Sequence, residues 1–325
     1  MTQEALLEVR GLATHFFTGQ GIVRAVDGID LTVCRGETLA LVGESGSGKS
    51  VASLSLLRLV EEPGRIVAGA VRFAGDDLLR LSEREMEAVR GAKIAMIFQE
   101  PMTALDPVQR VGDQIAEGLR VHEGLARRAA RARAVELMAR VGIPDPVRRA
   151  RAYPHEMSGG MRQRVMIAAA LSCDPDLIIA DEPTTALDVT VQAQILSLLD
   201  DLKRESGAGV LLITHDLGVV AEVADRVSVI YGGQIVEDGP VEQIFRSPAH
   251  PYTQGLIACV PDVELPRQRG RALQSIAGSV PSPFDRPDGC RFRDRCPSAF
   301  ARCTEEPVLV PIANGHSARC WLNVR

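Results

Sequence analysis

Aromatic residues are scarce in this chain, at 4% of 325 positions. So few rings exclude a surface that stacks on the bases of single-stranded nucleic acid. Positive charge is not in excess either. There are 37 Lys and Arg against 42 Asp and Glu, a net charge of −5. Binding of nucleic acid through bulk charge is therefore not expected. Long hydrophobic runs are missing too. No stretch reaches the ~18 uninterrupted apolar residues of a membrane span. Runs such as Val210 to Ile213 and Leu177 to Ala180 are strand-sized. The opening MTQEALLEVRG has no basic n-region and no apolar h-region, so no signal peptide is expected. Contact with a membrane is expected to go through a partner.

What is present is an α/β pattern with 46% hydrophobic residues, ample for a buried core. Residues 1–75 read as β-rich, because LEVRGLATHF and VDGIDLTVCRG alternate apolar and polar positions. LALVG (39–43) is an apolar strand, and Ser50 to Leu59 has helical periodicity. Residues 110–150 read as helical. Their arginine-rich run RVHEGLARRAARARAVELMARVG is a solvated helix face, since its apolar positions recur at three and four. LIIAD (177–181) and GVLLIT (209–214) read as strands flanking a helix from Val189 to Glu205. DRVSVIYGGQIVEDG reads as a hairpin turning at Gly232–Gly233. After about residue 258 proline density rises and periodicity fades, which predicts a domain boundary.

GESGSGKS (43–50) fits the phosphate-loop pattern G-x-x-x-x-G-K-[ST], and it follows a strand and opens a helix. Gly43, Gly46 and Gly48 let successive N–H groups point at phosphate oxygens. The helix N-terminus adds its positive dipole end. Lys49 is placed to reach the β- and γ-phosphates, and the Ser50 hydroxyl to hold Mg²⁺. LIIADEP (177–183) is a second strand that ends in two acids. Asp181 suits Mg²⁺ and Glu182 suits a general base. In HEMSGGMRQR (155–164), Ser158-Gly159-Gly160 opens the helical run Met161 to Leu171, and that helix N-terminus is a second anion site.

The order of these motifs resembles the nucleotide-binding subunits of ABC transporters over residues 1 to about 260. The resemblance implies a P-loop NTPase cassette. That fold has a RecA-like core, an antiparallel β subdomain, a helical subdomain at about 100–175, and a loop-rich C-terminal extension at 259–325. It implies that Phe16 stacks on adenine, with Phe17 beside it as an alternative, and that Gly43, Ser45, Gly46, Ser47, Gly48, Lys49, Ser50 and Val51 hold ATP. Gln99, in IFQEP, resembles the glutamine that senses Mg²⁺ together with Ser50 and Asp181. Ser158, Gly159 and Gly160 resemble the signature that closes over a partner's ATP, although Met157 and Met161 stand where the family has LSGGQ. Asp188, in Ala186-Leu187-Asp188, resembles the D-loop acid. Lys49, Glu182 and His215 would be catalytic, with Glu182 as base and His215 at the γ-phosphate.

GESGSGKS, FQEPMTALDPV and SPAHPYTQGLI (247–257) narrow the resemblance to the ATPases of dipeptide and oligopeptide importers, a group that also moves nickel and glutathione. The implied partners are a second ATPase chain, in a heterodimer rather than a homodimer, two membrane-spanning permease subunits and an extracytoplasmic solute-binding protein. The implied place is the cytoplasmic face of a bacterial inner membrane. A soluble ABC ATPase of repair or translation is the rival, but it usually has two cassettes or a coiled-coil insertion. Four of the seven cysteines lie after Gly289. Cys290, Cys296, Cys303 and Cys320 are separated by five, six and sixteen residues, unlike the close pairs of zinc sites. An iron–sulfur cluster, zinc and free or oxidised thiols all remain open on spacing, and the resemblance favours a [4Fe–4S] cluster. Cys34, Cys173 and Cys259 read as ordinary buried residues.

Overall fold

A computed structural model describes residues 4–184, 189–259, 275–282, 284, 286–313 and 315–324. In chain order the strands are β1 (Ala5–Thr18), β2 (Gly21–Cys34), β3 (Thr38–Val42), β4 (Gly64–Phe73), β5 (Asp76–Asp77), β6 (Ile94–Ile97), β7 (Leu177–Asp181), β8 (Gly209–Thr214), β9 (Arg226–Tyr231), β10 (Gln234–Pro240), β11 (Val310–Ala313) and β12 (His316–Ala318). The α-helices are α1 (Lys49–Leu56), α2 (Glu83–Val89), α3 (Pro101–Ala104), α4 (Val111–His122), α5 (Arg127–Arg140), α6 (Pro146–Arg149), α7 (Gly159–Ala170), α8 (Val189–Ser206), α9 (Leu217–Val223), α10 (Val241–Arg246) and α11 (Pro251–Ala258). The chain divides into two compact units. One comprises Met1–Leu6, Val33–Glu37 and Arg80–Ile213. The other comprises Leu7–Thr32, Thr38–Leu79 and Thr214–Arg325.

In the first unit β6, β7 and β8 run parallel, with Ile94 opposite Leu177 and Ile178 opposite Val210. Every residue of β7 and β8 is buried. That explains their unbroken apolar sequence, because a parallel strand is covered on both faces. The helices α4, α5 and α7 pack on one another. The expected helical stretch at 110–150 is cut where Gly124 and Gly142 take positive φ, 68° and 73°, the conformation that ends helices. On α5, Ala130, Ala134, Leu137 and Met138 are buried at helical spacing, while Arg127, Arg128, Arg131, Arg133 and Arg140 stay exposed. The arginine run is a solvated face, as the spacing predicts.

The second unit holds an antiparallel sheet in the order β2-β1-β4-β5 and a sheet edge in the order β11-β12-β10-β9-β3. The hairpin β9–β10 turns at Gly232 and Gly233, both at positive φ, as a tight two-residue turn requires. The C-terminal extension is built into this unit. Phe292 joins the core of Val42, Val229, Tyr231 and Tyr252. Its ring lies 5.3 Å from Tyr231 and 5.4 Å from Tyr252. The strand β12 pairs antiparallel with β10, Glu237 opposite Ala318.

Beneath that pairing, the Glu237 carboxylate is fully buried. It accepts from the N–H groups of Ala249 and His250 at 2.7 and 2.9 Å, and His316 Nε2 lies 2.7 Å away. Burial pushes the His250 imidazole down to about 3, and its Nδ1 accepts from the Tyr252 N–H at 3.0 Å. Unfolded, a histidine titrates near ~6.5. Below that pH the unfolded chain binds a proton that the folded chain refuses. Stability should therefore fall with pH, by up to about 1.4 kcal/mol per unit from this group. Equilibrium urea unfolding at pH 7.5 and 5.5 should show the wild-type loss, and His250→Gln should reduce it.

Candidate functional site

The strand β3 is buried along its length and delivers Gly43 to a crowded position. A Cβ there would stand 2.3 Å from the Ile230 carbonyl oxygen. At the loop's other end Gly48 is the N-cap of α1, at φ 106°. It brings no side-chain cap to the helix N-terminus, the kind of helix end that binds anions. Lys49 is buried, and its Nζ donates to the carbonyls of Gly43 at 2.7 Å and Glu44 at 3.1 Å. The ammonium is thus folded back over the loop. Among the described residues Ser47 Oγ is buried without a hydrogen-bond partner, an orphaned donor that a phosphate oxygen would satisfy. Ser45 and Gly46 are exposed, and Ser50 and Val51 half-buried. Phe16 is half-buried, with its ring against Gly64 of β4. Phe17, on the other face of β1, is 45% exposed.

The first unit gathers a second group of expected residues. Asp181 ends β7 and is buried. Glu182 follows at φ 46°. A non-glycine residue in that region costs about 1–3 kcal/mol and is held there by its surroundings. Here the Glu182 N–H donates to the Ile213 carbonyl at 2.8 Å, and its Oε2 accepts from Gln99 Nε2 at 3.0 Å. The structure therefore joins the two residues singled out as sensor and base. Ser158 caps α7, accepting from the Met161 N–H at 3.4 Å. Met157 is buried and Met161 half-buried. A Cβ at Gly159 would meet nothing within 4 Å. The space beside Gly159 is thus open among the described residues.

His215 follows β8 and is exposed. The adjacent Asp216 is a helix cap: its Oδ1 accepts from the N–H groups of Gly218 and Val219. Asp188, with Ala186 and Leu187, lies outside the described residues. Sequence reasoning missed Gln163. It is buried on α7, and its Nε2 donates to the Pro183 carbonyl at 2.6 Å, tying the signature helix to the residue after Glu182. Glutamine two positions past Gly-Gly-Met, on the inner face of the helix, was the available signal.

The four late cysteines share a neighbourhood. Burial raises the thiols of Cys296 and Cys320, and pushes Cys290 up to about 11, with the nearby cysteines adding to it. Yet among the described residues no group of three or more His, Cys, Asp or Glu side chains could hold a metal ion. Cys290 and Cys296 pack against the core that holds Phe292. Nothing among the described residues supports the expected [4Fe–4S] cluster on Cys290, Cys296, Cys303 and Cys320.

The family profile "ABC transporter" matches residues 26–185, and the profile "Oligopeptide/dipeptide transporter, C-terminal region" matches 236–303. A peptide import ATP-binding protein of Brucella abortus is 52% identical over 97% of this chain and 94% of its own length. The chain belongs to this family of ABC transporter ATP-binding proteins. A peptide ABC transporter ATP-binding protein of Sinorhizobium fredii is 54% identical over 98% of this chain and 95% of its own length. Among solved structures, a dimeric bacterial ABC transporter cassette is similar at TM-score 0.66 and 28% identity, covering 72% of this chain and 98% of that one. A dimeric post-hydrolysis cassette bound to ADP and Pi matches equally well. As an ABC cassette the chain is an ATPase. Among the described residues, no helix is long and apolar enough to cross a membrane, which accords with a cassette that meets the membrane through other subunits.

Proposed function

We propose that this chain hydrolyses ATP to drive peptide import as the motor of an ABC transporter. The observation that carries the reading is the likeness to peptide-import ATPases at 52% identity over 97% of the chain, joined to a phosphate loop with an orphaned buried hydroxyl. Gly43 to Val51 bind the phosphates through N–H groups, Lys49 and Ser47. Phe16 packs on the adenine, and Phe17 is the more open neighbouring ring. Ser50, Gln99 and Asp181 each carry an oxygen donor, the kind that suits Mg²⁺. Bound with ATP, the ion would neutralise charge on the β- and γ-phosphates. Glu182 takes the proton of the attacking water, Gln99 orients the Glu182 carboxylate, and His215 faces the γ-phosphate. No step runs through an iron–sulfur cluster.

Ser158, Gly159 and Gly160 of a second, homologous chain close each ATP site, with Asp188 at the same junction. The related solved cassettes are dimeric, and the open space at Gly159 supports a close approach from outside. Gly159→Ala should leave thermal stability unchanged or slightly higher, since Ala suits a helix better by up to ~1 kcal/mol. It should weaken ATP-dependent pairing with the partner ATPase chain, read by light scattering; equal pairing would remove Gly159 from the interface.

The partner ATPase is a different chain, and the pair sits on two permease subunits at the cytoplasmic face of a bacterial inner membrane. The loop Gln99 to Pro107 carries the motion to them, and an extracytoplasmic binding protein supplies the solute. The test is ATPase activity of the reconstituted complex with dipeptides, longer peptides, nickel or glutathione. Peptides should stimulate it several-fold. Stimulation by nickel or glutathione alone would replace the substrate while leaving the motor.

A further inference from the structure

Glu44 is an unusual neighbour for a triphosphate: an acid at the second position of a loop whose purpose is to hold anions. Every polar group of Glu44 has a partner. Its N–H donates to Tyr252 Oη at 2.8 Å. Its carbonyl accepts from Lys49 Nζ at 3.1 Å. Its carboxylate is gripped by both terminal nitrogens of Arg295, at 2.6 and 3.1 Å. Arg295 lies 251 positions away, in the C-terminal extension. Its side chain is 5% exposed. Its Nε donates to the Ala277 carbonyl at 3.0 Å, and its guanidinium lies 5.8 Å from the centres of the Tyr231 and Phe292 rings. A planar fork fixed on three sides matches a carboxylate in a way that a flexible ammonium cannot.

A second connection runs from the extension to the same loop. Arg291 donates to the Gly232 carbonyl, and Arg291 and Arg286 both pair with Asp27. The Asp27 N–H donates to the Gly233 carbonyl at 2.9 Å, and the Gly233 N–H donates to the Ser47 carbonyl at 2.8 Å. The extension thus holds both Glu44 and the hairpin that supports Ser47.

We propose that Arg295 is a positioning residue for ATP: it neutralises Glu44 and holds that carboxylate off the phosphates, so the C-terminal extension sets the nucleotide affinity of the loop. The inference rests on the ATP-binding reading above. Without Arg295, an unpaired negative charge stands on an anion site. The cost is electrostatic and disappears when the Glu44 charge is also removed. A role confined to tethering the extension predicts the opposite, because losing both partners of the tether cannot repair it.

The test is equilibrium binding of a fluorescent Mg–ATP analogue to the purified full-length chain. Arg295→Met should weaken binding about tenfold, equivalent to ~1.4 kcal/mol, and raised salt should shrink the loss. Arg295→Met combined with Glu44→Gln should return to within about threefold of wild type, and Arg295→Lys should fall between. Wild-type affinity in Arg295→Met, or a double variant as weak as the single one, overturns the proposal. Loss of binding in the wild-type chain itself would remove the ATP reading with it. Thermal melts of each variant identify misfolding. Should Arg295→Met not fold, Arg295→Lys with and without Glu44→Gln gives the same comparison.

Discussion

Glu182→Gln should stop steady-state ATP turnover, lowering kcat by about 10²–10⁴-fold, the range of a lost general base, while ATP still brings two chains together. The substitution is nearly isosteric. The side-chain oxygen of Gln can still accept from Gln99 Nε2, the bond that now orients Oε2 at 3.0 Å. The backbone at 182, at φ 46°, carries the same cost for either side chain, so the fold is not disturbed. What disappears is the capacity to accept a proton from water. A base-less site should keep its ATP, and ATP-dependent dimers should accumulate on gel filtration. A variant that hydrolyses ATP at the wild-type rate would sink the proposed base.

Gly48→Ala should abolish nucleotide binding, raising the dissociation constant by at least about 100-fold. Two costs coincide. At φ 106° an L side chain is strained, by about 1–2 kcal/mol in a left-handed conformation. The new Cβ would also lie 2.3 Å from the Ala25 carbonyl oxygen, which is backbone and cannot rotate away. The loop must then move, and it moves the first turn of α1 that presents Lys49 and Ser50. Titration calorimetry with Mg–ATP measures the loss. Gly46→Ala is the matched control for a glycine in open space: it also has positive φ, 77°, but its Cβ would meet nothing within 4 Å, so it should lose less.

The features visible in the sequence were those whose cause is local. A strand, a glycine loop and a helix opening on Lys49 are contiguous, so the phosphate loop could be placed to the residue. The buried parallel strands β7 and β8 could be read because a doubly covered strand is apolar throughout. The helices at 110–150 were foreseen as one tract, and their breaks at Gly124 and Gly142 needed the φ angles. Two kinds of feature were out of reach. The strands β11 and β12, of four and three residues, are too short to show a period of two, so the extension read as loop-rich. The Glu44–Arg295 pair spans 251 positions, and no window along the chain contains both ends. Gln163 needed the fold to show that it points inward at Pro183. The cysteine spacing left a cluster, zinc and free thiols open; in the structure Cys290 and Cys296 are half-buried and Cys303 and Cys320 buried.

The pairing of β12 with β10 bears on how this protein tolerates being shortened. Removing everything after Ala258 would strip the partner strand from β10 and leave its N–H and C=O groups as an open edge, ready to pair with another chain. It would also uncover Tyr231 and Tyr252 and leave the buried carboxylate of Glu237 without His316. A truncated cassette should therefore aggregate on expression, even though every nucleotide-contacting motif is intact. The tail is the piece that covers β10, and the motor cannot be cut out from it as a separate module.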